Sequence, residues 1–171
     1  MTLNELKSTL HGTSITDVLL TGFLDESESP VRFCALLQAV YFELGCSLLQ
    51  IATIGDSARA SLQIVSVPQG STDLDDDMVP AVASIRHQIL QDPDSSNAIR
   101  SVRLWNVQQE AGQVSCSATC MELCNGQNIF VDPSNYFGIR IGGNELKEIW
   151  VANSADADAP QVELTLSSER P

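Results

Sequence analysis

Three cysteines, Cys116, Cys120 and Cys124, recur at a spacing of four residues. On a helix they would share one face and could hold a metal or a cluster. Their segment, Val114-Ser115-Cys116-Ser117-Ala118-Thr119-Cys120, has β character instead. Residues four apart on a strand lie roughly 13 Å from each other, too far to share one ion. No CxxC pair is present, so these thiols read as small apolar core residues. A cysteine nucleophile would need His11 or His87 as its base, and neither stands in a recognisable nucleophile motif. The chain has no G-x-S-x-G, no P-loop and no G-x-G-x-x-G. We therefore expect no catalytic residues, no cofactor site and no metal site.

Carboxylates are the other chemistry on offer. Asp73, Asp75, Asp76 and Asp77 cluster before an apolar run, and Asp25, Glu26 and Glu28 form a second group. The first cluster lacks the EF-hand spacing and its distal Glu, which argues against Ca²⁺. It could simply complement the dipole of a following helix. A third reading comes from the whole chain. Its 171 residues include 22 Asp and Glu against 9 Lys and Arg, a net charge of −13. That balance excludes direct contact with nucleic-acid phosphates or an anionic membrane face, both of which need a basic patch. It suits an acidic surface that meets a basic protein partner, with Asp25, Glu26, Glu28, Asp73, Asp75, Asp76 and Asp77 as the candidate contacts.

Hydrophobic residues make up 43% of the chain, enough for a core without disulfides or metal. The expected organisation is a single globular domain over residues 1–171, with a mobile acidic segment near 153–160. Its class is α+β, a mainly antiparallel β-sheet packed with two to four helices. Leu3, Leu6 and Leu10 predict an opening helix that stops at Gly12. Residues 15–24 read as a buried strand. Ser29-Pro30 could open a helix through residues 33–45; the same run could be a strand, and helix is preferred. Residues 47–54 and 61–67 form a hairpin around Gly55-Asp56-Ser57. Met78, Val82, Ile85 and Ile89 share one face of the helix expected over 78–90.

From residue 99 onward the pattern is β. A strand over 99–107 is followed by a turn at 110–113 and a return strand over 114–123. Asn125-Gly126 is a two-residue hairpin signal. Residues 128–131 and 137–141 are the next strands, separated by the Asp132-Pro133-Ser134-Asn135 turn. Residues 145–151 are helix or strand, and residues 162–166 a last edge strand. Trp105 and Trp150 belong to the core or a sheet face, though either could anchor an interface.

The opening residues, Met1-Thr2-Leu3-Asn4-Glu5-Leu6-Lys7, lack the basic and apolar regions of a signal peptide. No stretch approaches the roughly 20 apolar residues of a bilayer span. The expected compartment is the cytoplasm, where the five cysteines, an odd number, would be thiols.

The tract Asn128-Ile129-Phe130-Val131-Asp132-Pro133-Ser134-Asn135-Tyr136-Phe137-Gly138-Ile139-Arg140-Ile141-Gly142-Gly143 resembles one that recurs in small bacterial immunity proteins. These are cytoplasmic inhibitors of toxins from contact-dependent and other polymorphic secretion systems. The resemblance covers about a tenth of the chain and carries over no functional residue. It implies a non-catalytic role: binding one cognate toxin domain, such as a nuclease, and blocking it. An acidic inhibitor would imitate the charge pattern of nucleic acid. The alternatives are an acidic secretion chaperone that binds an unfolded effector segment, and a small cysteine-dependent enzyme. An adaptor module has no fingerprint here.

Overall fold

A computed structural model of the chain describes residues 1–27, 29–69, 74–75, 78–110 and 112–166. It is α+β, as expected, and its strands make two antiparallel sheets. β1 (Asp17–Asp25), β2 (Arg32–Leu44), β3 (Ser47–Thr53), β4 (Ala60–Val65), β5 (Met78–Ser84), β7 (Gln108–Glu110) and β8 (Gln113–Cys116) form the larger, in the order β5-β1-β2-β3-β4-β8-β7. β6 (Ile99–Trp105), β9 (Ala118–Leu123), β10 (Asn128–Asp132), β11 (Arg140–Gly142) and β12 (Gln161–Thr165) form the smaller, in the order β11-β10-β9-β6-β12. Helices α1 (Leu3–Leu10), α2 (Arg86–Ile89) and α3 (Asn144–Asn153) complete the described elements. No described helix is long and apolar enough to cross a membrane.

Both sheets bury one face in a common core. Phe42, Leu49, Ile51 and Leu62 of the larger sheet pack with Val102, Leu104, Met121 and Ile129 of the smaller. Burial of such side chains stabilises by about 1.5–3 kcal/mol each. The opening helix forms where Leu3, Leu6 and Leu10 predicted it, and Leu6 and Leu10 are buried. A capping box starts it: Glu5 N donates to Thr2 Oγ1 at 3.2 Å, and Thr2 N donates to Glu5 Oε2 at 2.7 Å. The bond from the Thr2 backbone N–H, aided by the Thr2 hydroxyl, holds the Glu5 carboxyl below its ordinary pKa. α3 covers the outer face of the smaller sheet. There Trp105, Phe130 and Trp150 meet with ring centroids 5.6–5.7 Å apart, so both tryptophans are core residues.

Two expected helices are strands. Residues 33–44 lie in β2, between β1 and β3, and Gly45 is in the turn that follows. Val40, Phe42 and Leu44 face the common core, while Ala39 and Tyr41 are buried on the opposite face. A strand covered on both faces is apolar without alternation, so its period cannot be told from that of a buried helix. Residues 78–90 divide into strand β5 and the four-residue helix α2. β5 pairs with β1 along its length, from Leu19↔Ser84 to Asp25↔Met78. Pro80 is tolerated because β5 is an edge strand. With a strand at Met78, the preceding carboxylates have no helix dipole to complement.

The return strand over 114–123 is also two strands. β6 pairs with β9 up to Trp105↔Ala118, and β7 pairs with β8 from Gln108↔Ser115. One hairpin thus bends between the sheets at Asn106 and Ser117. Asn106 takes the left-handed backbone, φ 49°. The half-buried Arg59 grips the bend. Its guanidinium donates to Asn106 O at 2.7 Å, Ser117 Oγ at 3.2 Å and Ser115 Oγ at 3.4 Å. Asp156, in the segment near 153–160, accepts from Ser117 Oγ at 2.6 Å and Asn106 Nδ2 at 3.0 Å. The bond from Ser117, aided by Asn106 and nearby Arg59, holds the Asp156 carboxyl below its usual pKa.

Arg59→Ala should lower the unfolding free energy by about 2–3 kcal/mol, because it leaves several polar groups at the bend unpartnered. Arg103→Ala breaks only the half-exposed pair with Glu163 (3.4 Å) and should cost under about 1 kcal/mol. Urea unfolding of both variants checks the order; equal costs would refute the role given to Arg59.

Candidate functional site

The three spaced cysteines occupy different environments. Cys116 is buried in the common core, its Sγ 3.3 Å from Thr119 Oγ1. Burial pushes its pKa up to about 11, against smaller lowering effects of Thr119 and Arg59. Cys120 packs with Trp105, Phe130 and Trp150, and burial raises its pKa as well. Cys124 is exposed in the turn after β9. His11 and His87 are exposed, and His87 accepts from Arg86 Nε at 3.3 Å. Among the described residues no three His, Cys, Asp or Glu side chains gather as metal ligands do.

Of the seven acidic candidates, Glu28, Asp73, Asp76 and Asp77 lie outside the described residues. Asp25, Glu26 and Asp75 are drawn to one end of the larger sheet. Asp25 ends β1 opposite Met78, and Asp75 O accepts from Met78 N at 3.0 Å. Asp25 Oδ1 takes the Ser27 N–H at 3.0 Å and the Ser27 hydroxyl at 2.5 Å, shaping the turn that exposes Glu26. Asp25 and Glu26 thus come near Asp75, about 50 positions away in the chain.

One cation, Arg32, stands opposite Asp25 in the β1–β2 ladder at this same end, and most other described cations are engaged elsewhere. Arg86 faces Asp94 at 3.5 Å, Arg100 faces Glu122 at 2.9 Å, Arg103 faces Glu163 at 3.4 Å and Arg140 faces Asp132. Arg59 is spent on the bent hairpin. Among the described residues, Lys7, Arg32 and Lys147 form no ion pair of this kind, and Lys147 lies 6.0 Å from the Trp105 ring centroid.

The most exposed aromatics sit on the loop between β10 and β11. Phe137, expected in a strand, lies outside it, since β11 begins at Arg140. Asp132 is fully buried and organises the loop. It accepts from Ser134 N at 2.8 Å, Ser134 Oγ at 2.6 Å and Arg140 Nε at 3.0 Å. Asn135 Oδ1 accepts from Phe137 N at 2.8 Å. Ile139 N donates to Leu37 O at 2.6 Å. Leu37 belongs to an irregular stretch of β2: between the pairs Leu20↔Val40 and Gly22↔Ala35, residues 36–39 oppose Thr21 alone. Gly138 fits against it with φ 113°, and any Cβ there would lie 2.4 Å from Leu37 O.

At the tip, Tyr136 is 94% and Phe137 79% exposed. Their rings meet edge to face, with centroids 5.3 Å apart and planes at 85°. Beside them an open cleft of about 670 Å³ reaches the β3–β4 turn, lined by Gln38, Thr53 and Asp56 among others. Among the described residues of the lining, Asp56 is the only charged one. The sequence reading missed this tip. Its signal was two large aromatics directly after a Pro-Ser-Asn turn, where no strand partner is required.

Comparison with protein-family models, with curated proteins and with solved structures gave no match, so the chemistry of the site rests on its own residues.

In native protein at pH 8, Cys46 and Cys124, both exposed, should react first with a thiol reagent. Cys116 should stay unlabelled until unfolding, since a pKa of about 11 leaves only roughly one thiolate in a thousand. Mass spectrometry of the labelled peptides reads the order. Separately, Gly138→Ala should destabilise by about 3 kcal/mol, combining a positive φ with the clash at Leu37. A melting temperature equal to that of the parent would show that the loop does not need its close approach to β2.

Proposed function

We propose that the protein is a non-catalytic protein-binding inhibitor, an immunity protein that neutralises a cognate bacterial toxin domain in the cytoplasm. The observation that carries this reading is the meeting of Asp25, Glu26 and Asp75 at one sheet end, while four of the arginines are paired with carboxylates elsewhere. Unpaired surface carboxylates set up a field that steers a basic partner and disfavours acidic ones. A nuclease toxin offers such a partner, because its substrate groove must be basic to hold phosphates. The tract at residues 128–143 supports the same reading through its resemblance.

A second reading, an acidic secretion chaperone, draws on Val79 and Val82, which are 42% and 52% exposed on edge strand β5. An unfolded effector segment could pair along such an edge. Obligate dimerisation with an apolar groove would favour it; a stable monomer would count against it.

The test is co-expression with the C-terminal domain of a large secreted protein encoded by the neighbouring reading frame. The expected result is protection from that domain's toxicity and a complex that survives purification. Its association rate should fall by about tenfold or more between low and high salt. Asp25→Asn with Glu26→Gln and Asp75→Asn should slow association severalfold and leave dissociation nearly unchanged. Absence of protection refutes the inhibitor reading, and a rate indifferent to salt removes its electrostatic part.

A further inference from the structure

The Tyr136–Phe137 tip is not explained by folding. Two large rings, 94% and 79% exposed, contribute almost nothing to the core, and exposed aromatic area of this kind marks interaction sites. The loop beneath is built for stiffness. Asp132 is buried under bonds from Ser134 and Arg140. Asn135 fixes the Phe137 N–H. Gly138 and Ile139 dock on Leu37. A tip held by these bonds pays little ordering entropy when it binds.

We infer that this tip and the Asp56 cleft beside it form the contact that grips an arginine-bearing segment of a basic protein partner. The chemistry of the three side chains selects that occupant. A guanidinium is planar, stacks on Tyr and Phe faces, and pairs with a carboxylate through parallel N–H donors. Asp56 supplies the carboxylate and is the only charge among the described lining residues. No Lys or Arg stands among the described lining residues, so these offer no counter-charge to a phosphate or a carboxylate ligand. The remaining lining includes the side-chain amide of Gln38 and the hydroxyl of Thr53, which suit a polar peptide backbone rather than an apolar one alone. A volume of about 670 Å³ is ample for one Arg side chain with its flanking residues. The net charge of −13 favours the same sign of partner over distance. The assignment rests on the proposed inhibitor role and names the anchor in it: aromatic residues backed by charge complementarity are typical of the few positions that dominate a binding energy.

The full chain, titrated with the peptide Ac-Leu-Arg-Leu-Arg-Leu-NH2 and followed by amide NMR shifts, tests the site without the toxin. The expected result is saturable shifts confined to residues 53–58 and 133–138. The matching peptide with Glu in place of Arg should produce none. Tyr136→Ala with Phe137→Ala, and separately Asp56→Asn, should each weaken binding about threefold or more. Because all three side chains lie at the surface or in an open cleft, unchanged melting temperatures will show that the fold is kept. Equal binding of the Glu peptide, shifts spread over the acidic sheet end instead of the tip, or unchanged affinity in the variants would each overturn the proposal. So would concentration-dependent self-association that the double aromatic variant abolishes, which would make a second copy the occupant. Loss of toxin protection with peptide binding intact would sink the inhibitor reading alone; the reverse pattern would sink this site alone.

Discussion

Two sheets can close on one core only if the chain passes between them, and the hairpin of β6–β7 and β8–β9 makes two of those passes together. Its lower half extends the smaller sheet and its upper half extends the larger. The crossing breaks the ladder at Asn106 and Ser117, so polar groups there lose their strand partners and must find others. Arg59 reaches in from the strand side and Asp156 from the segment after α3, each bonding to the Asn106–Ser117 corner. One cation and one carboxylate thus compensate the irregular backbone that lets the common core form.

The charges follow a division of labour. Carboxylates that face an arginine or a hydroxyl, such as Asp132 and Asp156, shape loops. Those at the sheet end, Glu26 and Asp75 above all, are exposed and left to act on whatever approaches. With most described arginines absorbed into pairs or corners, the acidic excess is a property of the surface and not just of the composition.

Much of the fold was readable from local chemistry. Leucine spacing and Gly12 marked α1, Asn125-Gly126 marked the β9–β10 hairpin, and alternation after residue 161 marked β12. The failures at residues 33–45 and 78–90 share a cause. Inner strand β2 is buried on both faces over residues 39–42, and β5 owes its form to pairing with β1. Neither long-range fact leaves a local trace. The bend at Ser117 was hidden likewise, because Val114 and Cys120 are apolar on either side of it. For the site, Asp25, Glu26 and Asp75 were visible as types but their juxtaposition was not, since it depends on Asp25 pairing with Met78. The aromatic tip escaped because Phe137 next to Ile139 reads as alternation.

Each sheet also has to end somewhere, and its outermost strands offer unpaired amides to other molecules. The larger sheet ends in β5, which carries Pro80, and in β7, which is three residues long and fully exposed. The smaller ends in β11, also three residues long, and in β12, whose outward positions are Gln161, Glu163 and Thr165. A missing donor, two truncated rims and a polar rim give a growing fibril no long, flat template. Crowded solutions of this molecule should consequently resist strand-by-strand polymerisation, even though strands are its main regular structure.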